Sequence, residues 1–260
     1  MGLNQRHILC FLYFIPLLIF YCPSHVYGFT FNRNYYELKG DIVWEVPTNE
    51  KVAAITFDDG PHPVYTPEIL DILKKYHAKA TFFLIGNRIE KYPYLVKREV
   101  KEGHELGNHT YTHVSLRQIS YLKFLDEANR TEHLIEAYQR PQLKLFRPPG
   151  GGLNSDIIDI AKIENFEIIL WSWDQDPRDW ATPGVDRIAN HILTHIRNGS
   201  IILLHDSGGN RSQTVKALDK ILPKLQHEGY HFITVTELLR MNPRYAELFN
   251  FGLKNIVSPQ

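Results

Sequence analysis

The amino-acid sequence predicts an α/β fold built on a parallel sheet, and three observations lead to it. Short runs of apolar and β-branched residues alternate with longer segments whose apolar residues recur at helical spacing. Such alternation is typical of βαβ units, in which helices cover a parallel sheet. The 260 residues, 43% of them hydrophobic, suffice for one large globular domain. Seven strand candidates in strict order favour a barrel, complete or lacking one unit, over a doubly wound sheet, and the pattern alone leaves both open.

The predicted elements follow one another without an internal repeat, a low-complexity tract or a linker. Seven strands are predicted at residues 52–57, 80–85, 104–107, 143–146, 166–173, 200–204 and 231–235. Six helices are predicted between them, at residues 67–76, 92–102, 119–138, 155–163, 185–196 and 212–227. We interpret residues 29–51, rich in aromatic and polar side chains, as an N-terminal extension and residues 241–260 as a C-terminal tail. The main domain is therefore predicted at residues 52–240.

The N-terminal residues have the layout of a secretory signal. Arg6 and His7 precede an apolar run at residues 8–22, and the small residue Gly28 follows where cleavage would occur. This run is too short to cross a bilayer comfortably. We therefore predict a signal peptide at residues 1–28, either removed or retained as an anchor. Cys10 and Cys22, the two cysteines of the chain, lie within this segment, so the mature domain is predicted to use neither disulfides nor thiolate chemistry.

The formal net charge is zero, with 29 Lys and Arg residues against 29 Asp and Glu residues. A nucleic-acid-binding surface would need a clustered basic excess, which this balance does not indicate. We therefore predict no nucleic-acid partner, and a membrane contact only through residues 1–28 if these are retained. The sequence implies no protein partner. A neutral surface suits a neutral or mixed-charge substrate.

Parallel α/β folds carry their active sites at the carboxyl ends of the strands. Several chemically reactive side chains lie just after predicted strands: Asp58, Asp59, His109, Arg147, Asp176, Asp179, His205 and Asp206. We therefore expect these side chains to meet at one edge of the sheet.

Two of these groups have the residue types of a metal site. Asp58 and Asp59, in the run T-F-D-D-G-P, are adjacent carboxylates. Such a pair also suits an ordinary turn or helix cap. At the end of a strand, however, one carboxylate can bind a metal while the other faces a substrate. His109 and His113 are four residues apart, a spacing that puts two histidines on one helix face, where they can bind one metal together.

A second histidine pair, His191 and His195, has the same spacing. It lies in the middle of the helix predicted at residues 185–196, away from the strand ends and without a companion carboxylate motif. We therefore interpret it as a solvated or partly packed helix surface rather than a metal site.

Three further runs complete the pattern. Arg147 precedes two rigid prolines and then permissive glycines, and it can pair with a carboxylate while backbone N–H groups stay exposed; a structural turn is the alternative. Asp179 beside Trp180 can orient a histidine next to the wall of a groove. His205 ends a buried strand, a position where a lone histidine is more often structural.

The five runs together, in this order, resemble the polysaccharide deacetylase family, also called the NodB-homology or carbohydrate esterase family 4 domain. The resemblance covers roughly residues 52–239, and its T-F-D-D-G-P and H-T-x-x-H elements are specific when they occur together. It implies a distorted (β/α) barrel with about seven parallel strands. It also implies a metal-dependent hydrolase that removes N-acetyl groups from an amino-sugar polymer such as peptidoglycan or a chitin-like glycan.

The resemblance assigns roles to particular residues. Asp59, His109 and His113 match the family's metal ligands, for which zinc is the default and cobalt or nickel are also compatible. Asp58 matches the catalytic base. Arg147 matches the residue that pairs with this base.

The remaining matches concern the leaving group and the substrate. His205 matches the general acid and Asp179 the carboxylate that orients it. Trp180 and Leu203 match residues that line the acetyl and sugar pocket. Gly150 departs from the family, which often has an aromatic residue there. The backbone N–H of Gly150 can still stabilise an oxyanion, whereas the aromatic wall is missing.

Two other functions are compatible with the same motifs. Some family members cleave O-acetyl esters of polysaccharides with the same site. A non-catalytic module that binds wall glycan would keep the fold and would be favoured by loss of Asp58 or His205, both of which are present. The predicted signal and the glycan substrate place the protein outside the cytoplasmic membrane, secreted, associated with the cell wall or anchored to the membrane's outer face.

Overall fold

The computed structural model describes residues 32–249, so the signal peptide predicted at residues 1–28 lies outside the described part. Within residues 32–249, the strands are β1 Ile42–Val43, β2 Val52–Asp58, β3 Ala80–Leu84, β4 Glu105–Asn108, β5 Lys144–Phe146, β6 Phe166–Ile169, β7 Ser200–His205 and β8 His231–Phe232. The α-helices are α1 Arg33–Lys39, α2 Tyr65–Lys75, α3 Gly86–Lys91, α4 Pro93–Lys101, α5 Tyr121–Glu136, α6 Ser155–Ile163, α7 Val185–His195, α8 Ser212–His227 and α9 Val235–Arg240.

All strand pairs of the sheet are parallel, and the strand order is β1-β6-β5-β4-β3-β2-β7, with β8 also paired to β2. The predicted parallel α/β architecture is therefore confirmed. The segment that follows β6 reaches β7 through two backbone hydrogen bonds, from Ser172 to Ile201 (3.0 Å) and from Leu203 to Gln175 (2.9 Å). Irregular chain thus replaces a regular strand pair at this point, which gives the barrel its distorted form.

The central strands are apolar because helices and loops cover them. Every residue of β2 and of β3 is buried, as in sheets with both faces covered. Phe57 of β2 and Phe82 of β3 stack with ring centroids 5.1 Å apart. Helices α2, α7 and α8 pack their apolar sides onto this layer through residues such as Ile69, Ile192 and Leu218. The core therefore holds the strand ends in place.

Apart from shifts of one or two residues at the ends of elements, the structure differs from the predicted elements in four main ways. The segment interpreted as an extension supplies α1 and β1, and β1 pairs with β6. Helix α3 is an additional element directly after β3. Strand β6 ends at Ile169 rather than at residue 173. Strand β8 ends at Phe232, because the Thr234 side chain and Glu237 form a capping box that starts α9.

Within residues 32–249, none of the helices combines the length and the apolar character needed to cross a bilayer.

Candidate active site

A buried ion pair lies at the carboxyl end of β2. Arg147 is fully buried, and its Nη1 donates to Asp58 Oδ1 (2.8 Å) and to the Thr56 hydroxyl (2.6 Å). Its Nε and Nη2 donate to the carbonyls of Ile169 (3.0 Å) and Leu170 (2.9 Å). Burial lowers the pKa of the guanidinium, and the negative charge of Asp58 acts in the opposite direction. Because all these donors are satisfied, Arg147 holds the Asp58 carboxylate in one orientation and compensates its charge.

The next three side chains form a group able to hold a metal. Candidate ligand atoms of Asp59, His109 and His113 lie within 4.8 Å of one another, and no other such group of three occurs within residues 32–249. Asp59 Oδ1 is 3.1 Å from His113 Nε2 and 3.6 Å from His109 Nε2. His109 Nδ1 lies 2.7 Å from the Arg147 carbonyl, to which it donates in the tautomer that leaves Nε2 facing Asp59.

The electrostatics of this group suit a cation. Asp59 Oδ1 is buried and makes no properly directed hydrogen bond, even to the nearby His113. Burial favours the neutral carboxyl, but the surrounding imidazoles outweigh it and hold the pKa of Asp59 well below its usual range. Burial lowers the pKa of His109 and so favours the neutral imidazole, the form that binds metals. One carboxylate and two imidazoles are also the donor set of known catalytic zinc sites. The residues present therefore fit a divalent metal.

The expectation that His109 and His113 share a helix face is wrong. Both lie in the loop after β4, where Thr110 (φ 65°) and His113 (φ 60°) have left-handed backbone conformations. The Asn108 side chain accepts the Thr110 N–H (3.0 Å) and stabilises this turn. The loop brings the two rings to a centroid distance of 5.1 Å without a helix.

On the other side of the cleft, β7 ends at His205. The Nδ1 of His205 lies 2.7 Å from Asp179 Oδ1, and Asp179 Oδ2 accepts from the His205 backbone (3.0 Å) and the Thr214 hydroxyl (2.7 Å). Burial disfavours the imidazolium, but the hydrogen bond to Asp179 and its charge outweigh burial and raise the pKa of His205 to about 9. The arrangement keeps His205 protonated near neutral pH and leaves its Nε2 for a ligand in the cleft.

These groups open into one cleft of about 430 Å³. Eight of the ten sequence-predicted site residues line it: Asp58, Asp59, His109, His113, Gly150, Trp180, Leu203 and His205. The other two, Arg147 and Asp179, lie behind Asp58 and His205 and hydrogen-bond to them. The structure thus brings all ten residues together at the edge of the sheet that the strand pattern predicts.

Gly150 lies at the rim of this cleft in a short 3-10 turn, Pro149–Gly151, with φ 60° and ψ 19°. A Cβ at this position would meet no atom within 4 Å, so the left-handed backbone rather than crowding favours glycine. None of the hydrogen bonds between described backbone groups uses the Gly150 N–H. This donor is therefore available to a ligand.

Several residues that support the site have little or no signal in the sequence. Arg211, almost fully buried, lines the cleft and donates to the carbonyls of Ser207 (2.5 Å) and Trp180 (3.3 Å). Thr56 accepts a hydrogen bond from Arg147. In the sequence it could have been recognised as a polar residue within an apolar strand. Arg211 follows a Gly-Gly turn, which indicates a loop but not a buried arginine.

Asp206 packs behind the cleft and accepts a hydrogen bond from the Thr66 hydroxyl. It is fully buried, and this burial raises its pKa to about 7. A Cβ on Gly60 would come within 2.4 Å of the Asp206 carboxylate, so the glycine of the T-F-D-D-G-P run makes room for this acid. Asp206 is therefore part of the support of the cleft and does not line it.

The fold and this site define a class of proteins. These are barrel hydrolases in which an Asp-His-His group able to hold a metal lies beside an acid and a base. A family model described as polysaccharide deacetylase matches residues 45–169. The chain is 52% identical to a peptidoglycan-N-acetylglucosamine deacetylase of Bacillus cereus, over 80% of this chain and 97% of the relative. The chain belongs to the polysaccharide deacetylase family, as the motifs indicate.

Two more comparisons show the range of its relatives. A chitooligosaccharide deacetylase of a Bradyrhizobium species is 36% identical, over 81% of this chain and 96% of the relative. The crystal structure of a peptidoglycan N-acetylglucosamine deacetylase in complex with 4-naphthalen-1-yl-N-oxidanyl-benzamide superimposes with a TM-score of 0.75. It is 37% identical and covers 80% of this chain and 97% of its own. The relatives thus act on N-acetylated amino-sugar glycans of more than one kind.

Proposed function

We propose that this protein hydrolyses the acetamido group of N-acetylglucosamine in peptidoglycan. The observation that carries the proposal is the convergence of three chemical elements on one cleft: a carboxylate base, a protonated imidazole and an Asp-His-His group. Asp58 Oδ2 lies 3.8 Å from His109 Nε2, so the base is adjacent to the ligand group. Amide hydrolysis needs an activated water, a polarised carbonyl and a proton for the amine, and the cleft offers a group for each.

A divalent metal held by Asp59, His109 and His113 would lower the pKa of a bound water and polarise the acetyl oxygen. Zinc is the natural candidate for this donor set, and cobalt or nickel would bind as well. Asp58 takes the proton from the water, and the charged Arg147 keeps the carboxylate in place for this transfer.

The chain also provides for the charge and the leaving group. As the water attacks the acetyl carbon, negative charge develops on the acetyl oxygen, and the Gly150 N–H is available to donate to it. His205, held by Asp179, then protonates the nitrogen as the C–N bond breaks, so acetate and a free amine are the products. Proton transfer of this kind contributes typically about 10²–10⁴-fold to the rate.

The choice of peptidoglycan follows from the relative with 52% identity, whose name states that substrate. Trp180, half exposed, and the buried Leu203 would contact the sugar and the acetyl methyl group. A wall glycan lies outside the cytoplasmic membrane, in agreement with the signal predicted at residues 1–28. We therefore place the activity at the cell wall or on the outer face of the membrane.

The test is acetate release from peptidoglycan, chito-oligomers and acetylated xylan, each measured as isolated, after chelation and after zinc is restored. We expect release from peptidoglycan that is lost on chelation and returns with zinc. Release from xylan alone would instead establish an O-acetyl esterase. No release from any substrate by protein that carries metal would contradict the enzyme assignment and favour a glycan-binding module.

A further inference from the structure

A second cavity, of about 850 Å³, lies beside the catalytic cleft. The two share Gly150, Trp171 and Asp176 in their walls, so they lie next to each other. Cavities of roughly 300–1,000 Å³ are typical of small-ligand sites. A glycan whose acetylated sugar occupies the cleft would therefore place an adjacent sugar in this second cavity.

The wall of this cavity is aromatic. Trp44, Trp171 and Trp173 line it, and Trp173 is 77% exposed, which is rare for so large an apolar side chain. Trp173 is placed near the Arg33 guanidinium, 5.9 Å from its ring centroid. An exposed indole at the mouth of a cavity offers a flat apolar face against which a sugar ring can pack.

Two arginines, Arg178 and Arg187, lie in the same wall. Within residues 32–249, neither Arg178 nor Arg187 forms an ion pair, and both side chains are exposed. Two nearby acids are already used, since Asp174 pairs with Arg197 (2.9 Å) and Asp186 with Lys220 (2.7 Å).

The remaining acid of the cavity wall, Asp176, accepts the backbone N–H of Arg178 (2.9 Å). This bond stabilises the left-handed turn at Arg178 (φ 55°) and involves the backbone rather than the guanidinium. The cavity therefore presents two guanidinium groups that pair with no anion of residues 32–249, and their planar donors match the geometry of a carboxylate.

We propose that the second cavity binds a sugar that carries a carboxylate, next to the sugar that is deacetylated. Peptidoglycan has this chemistry, because its alternate sugars bear a lactyl ether that ends in a carboxylate or in an attached acidic peptide. Chitin-like glycans have no such group. The inference rests on the proposed deacetylase function and adds to it the feature that would select the substrate.

The experiment uses three tetrasaccharides of equal length. The first alternates N-acetylglucosamine with N-acetylmuramic acid and keeps its lactyl carboxylates; the second has these carboxylates converted to methylamides; the third is chitotetraose. We expect kcat/KM for the first to exceed that for the second by about tenfold, the order of one strong charged contact. In Arg178→Gln/Arg187→Gln this preference for the carboxylate form over the methylamide form falls to nearly one.

Two controls separate this effect from a general loss of charge or fold. Arg140→Gln removes an exposed arginine in the loop before β5, at the opposite end of the barrel, and should keep the preference. Trp173→Ala should weaken the binding of all three tetrasaccharides alike, since ring packing does not distinguish the carboxylate. A wild-type protein without the preference, or a double variant that retains it, overturns the inference.

Equilibrium binding of the same tetrasaccharides tests the proposed subsite even if the protein shows no turnover. If no acetate is released from any of them, the proposed function fails, yet tighter binding of the carboxylate form that disappears in the double variant still supports the subsite. Equal affinity for the carboxylate and methylamide forms overturns the subsite, whether or not the protein is an active deacetylase.

Discussion

In two histidine pairs of the chain that have the same four-residue spacing, His109 with His113 and His191 with His195, the rings lie close together. The ring centroids are 5.1 Å apart in the first pair and 4.8 Å in the second. The first pair lies in a loop at the carboxyl edge of the sheet, with Asp59 within 3.6 Å of both imidazoles. The second lies on α7, as the pattern predicts, where His195 Nδ1 contacts the His191 carbonyl (2.7 Å).

This difference shows that ring proximity is not what makes a metal site. The first pair has a carboxylate as third donor, and a backbone carbonyl orients His109 so that Nε2 is free. For the second pair, no third donor completes such a group within the described residues. The interpretation of the second pair as an ordinary helix surface stays a prediction, which metal analysis of variants can test.

The largest effect is expected when one histidine of the first pair is removed, with the second pair as the control. His113→Ala should lose more than about 100-fold in metal affinity and lose turnover with it, because two donors remain of three. His195→Ala, the matched control, should keep the metal content and the activity of the wild type. Metal analysis and acetate release measure both. Stoichiometric zinc in His113→Ala would remove this residue from the ligand set.

The next effect separates metal binding from proton transfer. Asp58→Asn should lower kcat by about 10²–10⁴-fold, because the amide cannot accept the proton of the attacking water. It should leave metal binding largely intact, since Asp58 is not part of the Asp-His-His group. Activity of Asp58→Asn near that of the wild type would refute the assignment of the base.

A smaller effect concerns the third histidine of the cleft, His205, whose partner is the Asp179 carboxylate. Asp179 raises the pKa of His205, and the acid form is lost as the pH rises through that value of about 9. In Asp179→Asn the pKa of His205 is lower, so the alkaline limb of the kcat profile should move to lower pH. The profile of kcat from pH 6 to about pH 10 tests this, and an unmoved limb would contradict the role of Asp179.

The smallest expected effect concerns two buried carboxyl groups, those of Asp58 and Glu99. Asp58 has a guanidinium partner, whereas both oxygens of the fully buried Glu99 on α4 make no hydrogen bond among the described residues. Burial, and secondarily the charge of Asp206, raise the pKa of Glu99 well above its usual value. Because its folded-state pKa lies above the unfolded one, the folded protein loses stability as the pH rises above the unfolded pKa of about 4.3.

Glu99→Gln removes this penalty, so its Tm relative to the wild type should rise by a few degrees between pH 5 and pH 8. Glu68→Gln changes an exposed glutamate of α2 and serves as the control, with a difference that stays nearly constant. A constant difference for Glu99→Gln as well would show that Glu99 is not held neutral in the folded protein.

The alternation of strands and helices was predictable because apolar periodicity is a local property of the chain. Strand β1 was not, since two residues carry no periodic signal and their pairing with β6 depends on contacts more than 120 residues away in sequence. The early end of the strand predicted at 231–235 had a local signal, the Thr234 and Glu237 capping box, which the β-rich composition obscured.

The sequence by itself determined the class of fold, the family and the edge of the sheet at which the reactive side chains meet, because all three depend on residue type and order. Only the tertiary structure decided the geometry of the site. The left-handed turns at Thr110 and His113, rather than a helix, direct the two imidazoles towards Asp59. The four hydrogen bonds of Arg147, which directly follows β5, reach two other strands, β2 and the end of β6. Local propensity does not encode such contacts, because each exists only once distant segments have packed together.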